Sequence, residues 1–288
     1  MFKVVTKRFL NEAKTICLFE IEAPLVAKHA QAGQFVIFRL DEQGERTPVS
    51  VAGYDREKGT VTVMVQAAGR TTKMLHTVEE GDYITDFVGP LGKATEMEGL
   101  KKVCVVGGGV GCAIAYPIAK EMHARGIDVT FIAGFRSADI VILKDELKAV
   151  SDKLIMCTDD GTYGEKGFTT QYLKQEIDAN IAENRPQFDR VIAIGPDIMM
   201  KFLADVTRPY GIKTIISLDP IMVDGTGMCG GCRVIVGGET KFACVDGPDF
   251  DAHEVDFDSL IKRAAFYKEE QDEAAKHICN MTGGKRNG

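Results

Sequence analysis

The segment Asp224-Gly-Thr-Gly-Met-Cys229-Gly-Gly-Cys232, followed by Cys244 twelve positions later, constrains this chain more than any other feature. Plant-type iron-sulfur proteins space their ligands as C-x4-C-x2-C with a distant fourth cysteine, and this segment reproduces that spacing if Asp224 takes the first place. Glycines at 225, 227, 230 and 231 meet a related demand. A tight ligand loop needs left-handed backbone and must bring amide N–H groups close to the cluster sulfurs. Asp224, Cys229, Cys232 and Cys244 are therefore expected to hold two irons as a 2Fe-2S cluster, which makes electron transfer the expected activity. Asp219 is a competing carboxylate, but only Asp224 gives the x4 interval. A zinc knuckle on Cys229, Cys232 and Cys244 uses the same thiolates, and spacing alone leaves it open.

The chain has 288 residues and 45% hydrophobic content, enough for two compact domains and a small appendage. It has no apolar run of the roughly 18 residues that spans a bilayer, and its start lacks the apolar region of a signal peptide, so a cytoplasmic protein without a membrane segment is expected. Cysteine usage agrees: Cys17, Cys104, Cys112, Cys157 and Cys279 show no disulfide-framework spacing. A net charge of -7 without a long basic run argues against a nucleic-acid partner.

Residues 1–95 read as an antiparallel β-barrel. Strands are expected at 2–9, 16–21, 34–40, 47–54, 60–66 and 83–88, with one helix at 71–78. Gly89-Pro90-Leu91-Gly92 punctuates the chain. Residues 96–218 read as an α/β domain, a doubly wound parallel sheet. Apolar strands near 102–106, 129–133, 154–157, 191–194 and 214–217 alternate there with helices near 113–124, 140–149, 168–182 and 197–207. Residues 219–288 form the cluster-binding region, with a charged helix from Asp258 and a frayed, basic end.

Two glycine-marked strand ends carry the nucleotide reading. Gly107-Gly-Gly-Val-Gly111 lies between a buried strand and a helix, where a pyrophosphate can approach backbone N–H groups. Ile194-Gly195-Pro196-Asp197 follows a later strand at the sheet edge where ligands of open sheets bind. In the barrel, Arg46-Thr47-Pro48-Val49-Ser50 joins a fixed cation to a hydroxyl across a proline that keeps the segment extended. A phosphate would suit Arg46 and a flavin ring Ser50. Gly69-Arg70-Thr71-Thr72 adds hydroxyls and N–H groups at a helix start, where an anion is favoured.

Taken in order, the barrel, the Arg-x-Pro-x-Ser segment, the Gly-Pro-x-Gly linker, the nucleotide domain and the C-terminal cluster loop resemble the ferredoxin reductase superfamily. Within it the chain is similar to the electron-transfer subunit of dihydroorotate dehydrogenase and to the small (alpha) subunit of electron-bifurcating NADH-dependent reduced ferredoxin:NADP oxidoreductase. The resemblance implies that Arg46, Thr47, Pro48, Val49 and Ser50, with Val65, Gln66, Gly69, Thr71 and Thr72, bind FAD. It places Gly108, Gly109, Gly195 and Pro196 against the nicotinamide nucleotide, and Asp159-Asp160-Gly161 on a ribose side. Ser50 is the one residue assigned to tuning the flavin. The dihydroorotate subunit normally has four cysteine ligands, whereas the bifurcating small subunit resembles this chain in having an aspartate and three cysteines.

The resemblance further implies a heterodimer with a larger subunit that carries a second flavin and more iron-sulfur clusters and serves ferredoxin and NADP(H). NAD(H) is the nucleotide it implies for this chain. The residues themselves lean the other way: Gly134-Phe135-Arg136-Ser137 offers no acid for a ribose and does offer an arginine for the 2′-phosphate of NADP(H). A nucleotide-sensing binding protein with a zinc loop is the reading from a different class.

Overall fold

The computed structural model describes residues 1–266 together with 270 and 273; the expected basic end and Cys279 lie outside the described residues. Strands β1 (Phe2–Phe9), β2 (Ile16–Glu22), β3 (Phe35–Arg39), β4 (Thr47–Asp55), β5 (Thr60–Gln66), β6 (Tyr83–Ile84) and β7 (Asp86–Leu91) form one seven-stranded antiparallel sheet. Its order is β6-β1-β2-β5-β4-β3-β7. The single strand expected at 83–88 is in fact two. The Thr85 amide donates to the carbonyls of Arg39 and Leu40, turning the chain so that β6 pairs with β1 and β7 with β3. Because those two strands are the opposite edges of the sheet and one residue separates them, the sheet curls into a nearly closed barrel. A short helix α1 (Pro24–His29) was not expected; α2 (Arg70–Leu75) begins one residue before the expected helix and ends three before it.

Strand alternation explains how the barrel buries both faces. On β2, Cys17, Phe19 and Ile21 point into the barrel with Val61, Val63 and Val65 of β5. The intervening Ile16, Leu18 and Met64 point outward and join a second core with Cys112, Ala113 and Ile118. The barrel wall is therefore shared with the next domain. Each fully buried Val, Leu, Ile, Phe or Met side chain contributes about 1.5–3 kcal/mol.

The second sheet has the order β11-β10-β9-β8-β12-β13-β16, from β8 (Lys102–Gly108), β9 (Asp128–Phe135), β10 (Lys153–Thr158), β11 (Glu165–Lys166), β12 (Arg190–Ile194), β13 (Thr214–Ser217) and β16 (Asp249–Asp251). All its pairs are parallel except β13 with β16. Helices α3 (Gly111–Ala124), α4 (Lys144–Ala149), α5 (Thr169–Ala182) and α6 (Asp197–Thr207) cross between the strands. Val103, Cys104, Val105 and Val106 are all fully buried, as a strand covered by helices on both faces requires. A hairpin, β14 (Arg233–Val236) with β15 (Glu239–Phe242), follows the cysteine loop, and α7 (Phe257–Ala264) closes the described chain. The cysteine region thus adds β16 to the edge of the parallel sheet.

The Thr95 hydroxyl, in the stretch between β7 and β8, donates to Asp249 Oδ2 at 2.7 Å, tying the connection to β16. Asp249 Oδ1 is buried without a partner among the described residues. Burial pushes this carboxyl up to about 6, against the opposing hydroxyls of Thr95 and Ser217 and the charge of Arg190. Its folded pKa therefore lies above that of an unfolded aspartate, so between about pH 4 and pH 6 the native state keeps a proton the unfolded state has released. This group's contribution is full below that window and is lost as pH rises through it. Asp249→Asn is expected to gain on wild type by on the order of 1 kcal/mol between about pH 4.5 and pH 7, measured by urea unfolding. A difference that stays constant with pH would refute this.

Candidate functional site

Three pieces of the chain converge beside β4. The first is Arg46 to Ser50: Thr47, Pro48, Val49 and Ser50 are half-buried and pair with Phe38, Ile37, Val36 and Phe35 of β3. The Ser50 hydroxyl makes no hydrogen bond among the described residues. The second is the start of α2. The Thr72 hydroxyl accepts from the amides of Ala68 and Gly69 at 3.0 Å each, fixing the entry to the helix. Buried Thr71 donates to Glu45 at 2.7 Å and so draws α2 against the Arg46 segment. Val65 is buried and Gln66 exposed at the end of β5, and His76 Nε2 lies 2.9 Å from the Val65 carbonyl, holding that strand end to the end of α2.

The third piece is the cysteine loop. Arg46 Nε donates to the Val223 carbonyl at 2.9 Å. A Cβ on Gly225 would fall 2.7 Å from Ile37 Cδ1 and 2.8 Å from Leu91 Cδ1, so the loop rests directly on β3 and β7, and its positive φ of 77° adds a second reason for glycine. Ile37, in turn, is the β-partner of Pro48.

Within the loop, Asp224 Oδ2 accepts from the Thr226 amide at 3.2 Å, its hydroxyl at 2.5 Å and the Met228 amide at 3.1 Å; Oδ1 accepts from the Cys229 amide at 3.4 Å. Hydrogen bonding from Cys229 and Thr226 holds the Asp224 carboxyl well below the usual range, so it stays ionised. Cys229 Sγ accepts from the Gly231 amide and buried Cys232 Sγ from the Cys244 amide, each at 3.4 Å. Burial, then the neighbouring Cys232, pushes the Cys244 thiol up to about 12. Among the described residues no three His, Cys, Asp or Glu side chains close around a single-ion site. Asp219 lies apart from these bonds: it keeps surface open to solvent, yet dense surroundings and the charge of Asp197 push its carboxyl up to about 6.

On the nucleotide side, β8 ends in Gly108 and the chain turns at Gly109, whose φ is 56°. The Gly109 amide donates to Gly134 at 2.8 Å. A Cβ on Gly195 would meet the Gly108 Cα at 3.2 Å and Met199 Cε at 2.5 Å, so the two glycine-marked strand ends touch under Met199. Pro196 follows as the N-cap of α6. Arg136, beyond β9, is exposed, and its guanidinium makes no hydrogen bond or ion pair among the described residues. Asp160 Oδ1 braces its own turn, accepting from the Thr162 amide at 2.9 Å and hydroxyl at 2.7 Å. The sequence reading assigned no site role to Ile37, Leu91, Val223 or Met199: Ile37 and Val223 belong to no motif, and Leu91 and Met199 lie in glycine-marked runs whose packing contacts the sequence does not show.

An antiparallel barrel sharing its wall with a doubly wound sheet is a ferredoxin reductase-like fold. Residues 219–256 match the model of the iron-sulfur cluster binding domain of dihydroorotate dehydrogenase B. The chain is 48% identical over 271 residues to a dihydroorotate dehydrogenase B (NAD(+)) electron transfer subunit homolog from Thermotoga maritima, covering 94% of each. It is 32% identical over 272 residues to the probable electron transfer subunit of that enzyme in Methanocaldococcus jannaschii, covering 94% of this chain and 96% of the relative. A solved chain from work on flavin-based electron bifurcation in the NADH-dependent reduced ferredoxin-NADP oxidoreductase superposes with a TM-score of 0.88 at 44% identity, covering 97% of this chain and 98% of that one. Phthalate dioxygenase reductase shares the fold, with a TM-score of 0.59 at 18% identity over 82% of this chain and 85% of that one. The chain belongs to the family of dihydroorotate dehydrogenase B electron-transfer subunits and their homologues, in the ferredoxin reductase superfamily. No helix among the described residues is long and apolar enough to cross a membrane.

The close approach at the glycine turns carries a direct expectation. A Cβ on Gly111 would sit 2.3 Å from the Ile194 carbonyl oxygen, a backbone atom that cannot swing aside. Gly111→Ala should cost about 1–3 kcal/mol in chemical denaturation, because β12 and α3 must separate. An unchanged midpoint would contradict the packing described.

Proposed function

We propose that this chain is the FAD- and 2Fe-2S-bearing small subunit of an oxidoreductase of the NADH-dependent reduced ferredoxin:NADP type. It exchanges a hydride with NAD(H) at the flavin and passes electrons through the cluster to a larger flavin and iron-sulfur subunit, which serves ferredoxin and NADP(H). The observation that carries this reading is the contact between the barrel segment and the cysteine loop. Arg46 reaches Val223, and Ile37 touches both Pro48 and Gly225.

The residues fit the groups assigned to them. Three thiols, an ionised carboxylate and N–H donors on two of the sulfurs make a donor set suited to an iron-sulfur cluster, with Asp224, Cys229, Cys232 and Cys244 as ligands. The hydrogen bond joining Asp224 to Cys229 favours it over Asp219. Arg46 has free Nη groups for a diphosphate, with Thr71, Thr72 and Gly69 beside it. Thr47, Pro48, Val49, Ser50, Val65 and Gln66 offer strand edge to an isoalloxazine ring, with the unpartnered Ser50 hydroxyl as the group that tunes it. Gly108, Gly109, Gly195 and Pro196 are the residues assigned to the nicotinamide nucleotide, and of the three glycines Gly109 faces open space. Bound flavin converts two-electron into one-electron chemistry. The protein's part is to orient the nicotinamide against it, which requires no general base.

A second reading, the electron-transfer subunit of a dihydroorotate dehydrogenase, is favoured by the names of the relatives. The aspartate in the ligand set favours the first. The zinc-loop sensor loses ground to the iron-sulfur domain match.

Anaerobically purified protein is expected to show a flavin spectrum, about two irons and an EPR signal on reduction. Asp224→Ala should alter or abolish that signal while flavin content holds, and Asp224→Cys should move the cluster's midpoint potential, since thiolate is the softer ligand. A flavin-free protein with one zinc would overturn the proposal. Copurification of a dihydroorotate-oxidising partner would select the second reading.

A further inference from the structure

Arg46 makes one hydrogen bond, from Nε to the Val223 carbonyl at 2.9 Å, and its Nη groups are free among the described residues. Val223 immediately precedes Asp224, and Gly225 immediately follows it, seated on Ile37 and Leu91. The proposed carboxylate ligand is thus bracketed by two contacts with the barrel. One is apolar packing, always present. The other depends on an exposed arginine held by a single hydrogen bond.

We propose that Arg46 is a positioning residue that couples occupancy of the flavin site to the geometry of the cluster loop. The inference rests on the flavin reading of the Arg46 segment. A guanidinium is planar, with its five N–H donors in fixed relative directions. When a diphosphate engages the Nη edge in the bidentate manner that arginine favours, the plane is fixed, and Nε–H is thereby fixed toward Val223. Without the anion the side chain retains its rotamer freedom, and one exposed hydrogen bond holds it weakly. The adjacent carboxylate does not compete, because Glu45 is engaged by Thr71 at 2.7 Å. Nor does Asp224, whose oxygens are taken by Thr226, Met228 and Cys229. The flavin's phosphate end and the first cluster ligand are therefore linked through a single side chain, independently of any electron flow.

The test uses the full chain with its cluster assembled, as wild type, Arg46→Lys and Arg46→Ala, each titrated with FAD. Two readouts are followed: amide hydrogen exchange over residues 221–229, and the EPR line shape of the reduced cluster. In wild type, saturating FAD should slow exchange in that segment by about fivefold, the factor one net hydrogen bond gives an opening equilibrium, and should change the line shape. Arg46→Lys keeps a charge for phosphate but lacks the fork, so it should bind FAD at higher concentration and show neither response even when saturated. Arg46→Ala should behave as Arg46→Lys does in the loop, with weaker FAD binding still. Wild type that binds FAD with no change in either readout overturns the coupling and leaves the flavin reading standing. So does an FAD response that persists in saturated Arg46→Lys. Wild type that binds no FAD overturns the flavin reading, and the coupling with it.

Discussion

The rest of the structure depends on the seating of Gly225 on Ile37 and Leu91. A loop of glycines and cysteines has little apolar surface of its own, and its backbone is costly to order. It acquires a fixed shape by resting on a barrel whose strands are held by their own core. Ile37 belongs to a buried cluster that runs from Phe35 through Val106 and Ala193 to Cys232 and Cys244. Two of the three loop cysteines are therefore part of the same apolar core that joins barrel and parallel sheet. Cofactor chemistry at the loop and folding of the domain pair are mechanically one problem.

A similar economy governs the nucleotide side. The close approach of Gly108 and Gly195 brings two strand ends together at the carboxyl edge of the sheet, where an open sheet presents its crevice. The outward face of the barrel, through Leu18, Ala52 and Met64, packs onto the helix that starts at this turn. Anything bound along β4 and anything bound at the glycine turns are thus held by elements that share one core. Hydride exchange depends on such fixed relative placement, because its rate is governed by near-contact orientation of donor and acceptor.

Much of this was legible in the sequence, for reasons that differ from element to element. β8 read correctly because a strand buried on both faces is a continuous apolar run, and α6 because it follows a glycine-marked strand end in an alternating strand-helix pattern. The split at Thr85 was not legible, because nothing between Tyr83 and Val88 marks a corner; the turn is made by hydrogen bonds to Arg39 and Leu40, some 45 residues earlier in the chain. The iron-sulfur character of residues 219–256 was legible, since spacing is a local property. The anchoring of the loop was not, since Arg46 and Val223 are 177 residues apart and neither type announces such a contact.

Asp224 brings these strands of argument together. A cysteine at this place would supply a softer ligand but a poor acceptor, whereas the carboxylate accepts from two amides and a hydroxyl through one oxygen and from a third amide through the other. Those bonds hold the turn from Gly225 to Cys229, and they keep the group ionised, the form in which a carboxylate can ligate. The aspartate serves the loop as the staple that sets its backbone, and under the proposed function it is also the ligand that closes the set. Under that reading the trade is a harder ligand on one iron in return for a loop whose shape is written into the chain, with Val223 and Gly225 contacting the barrel on either side of the residue.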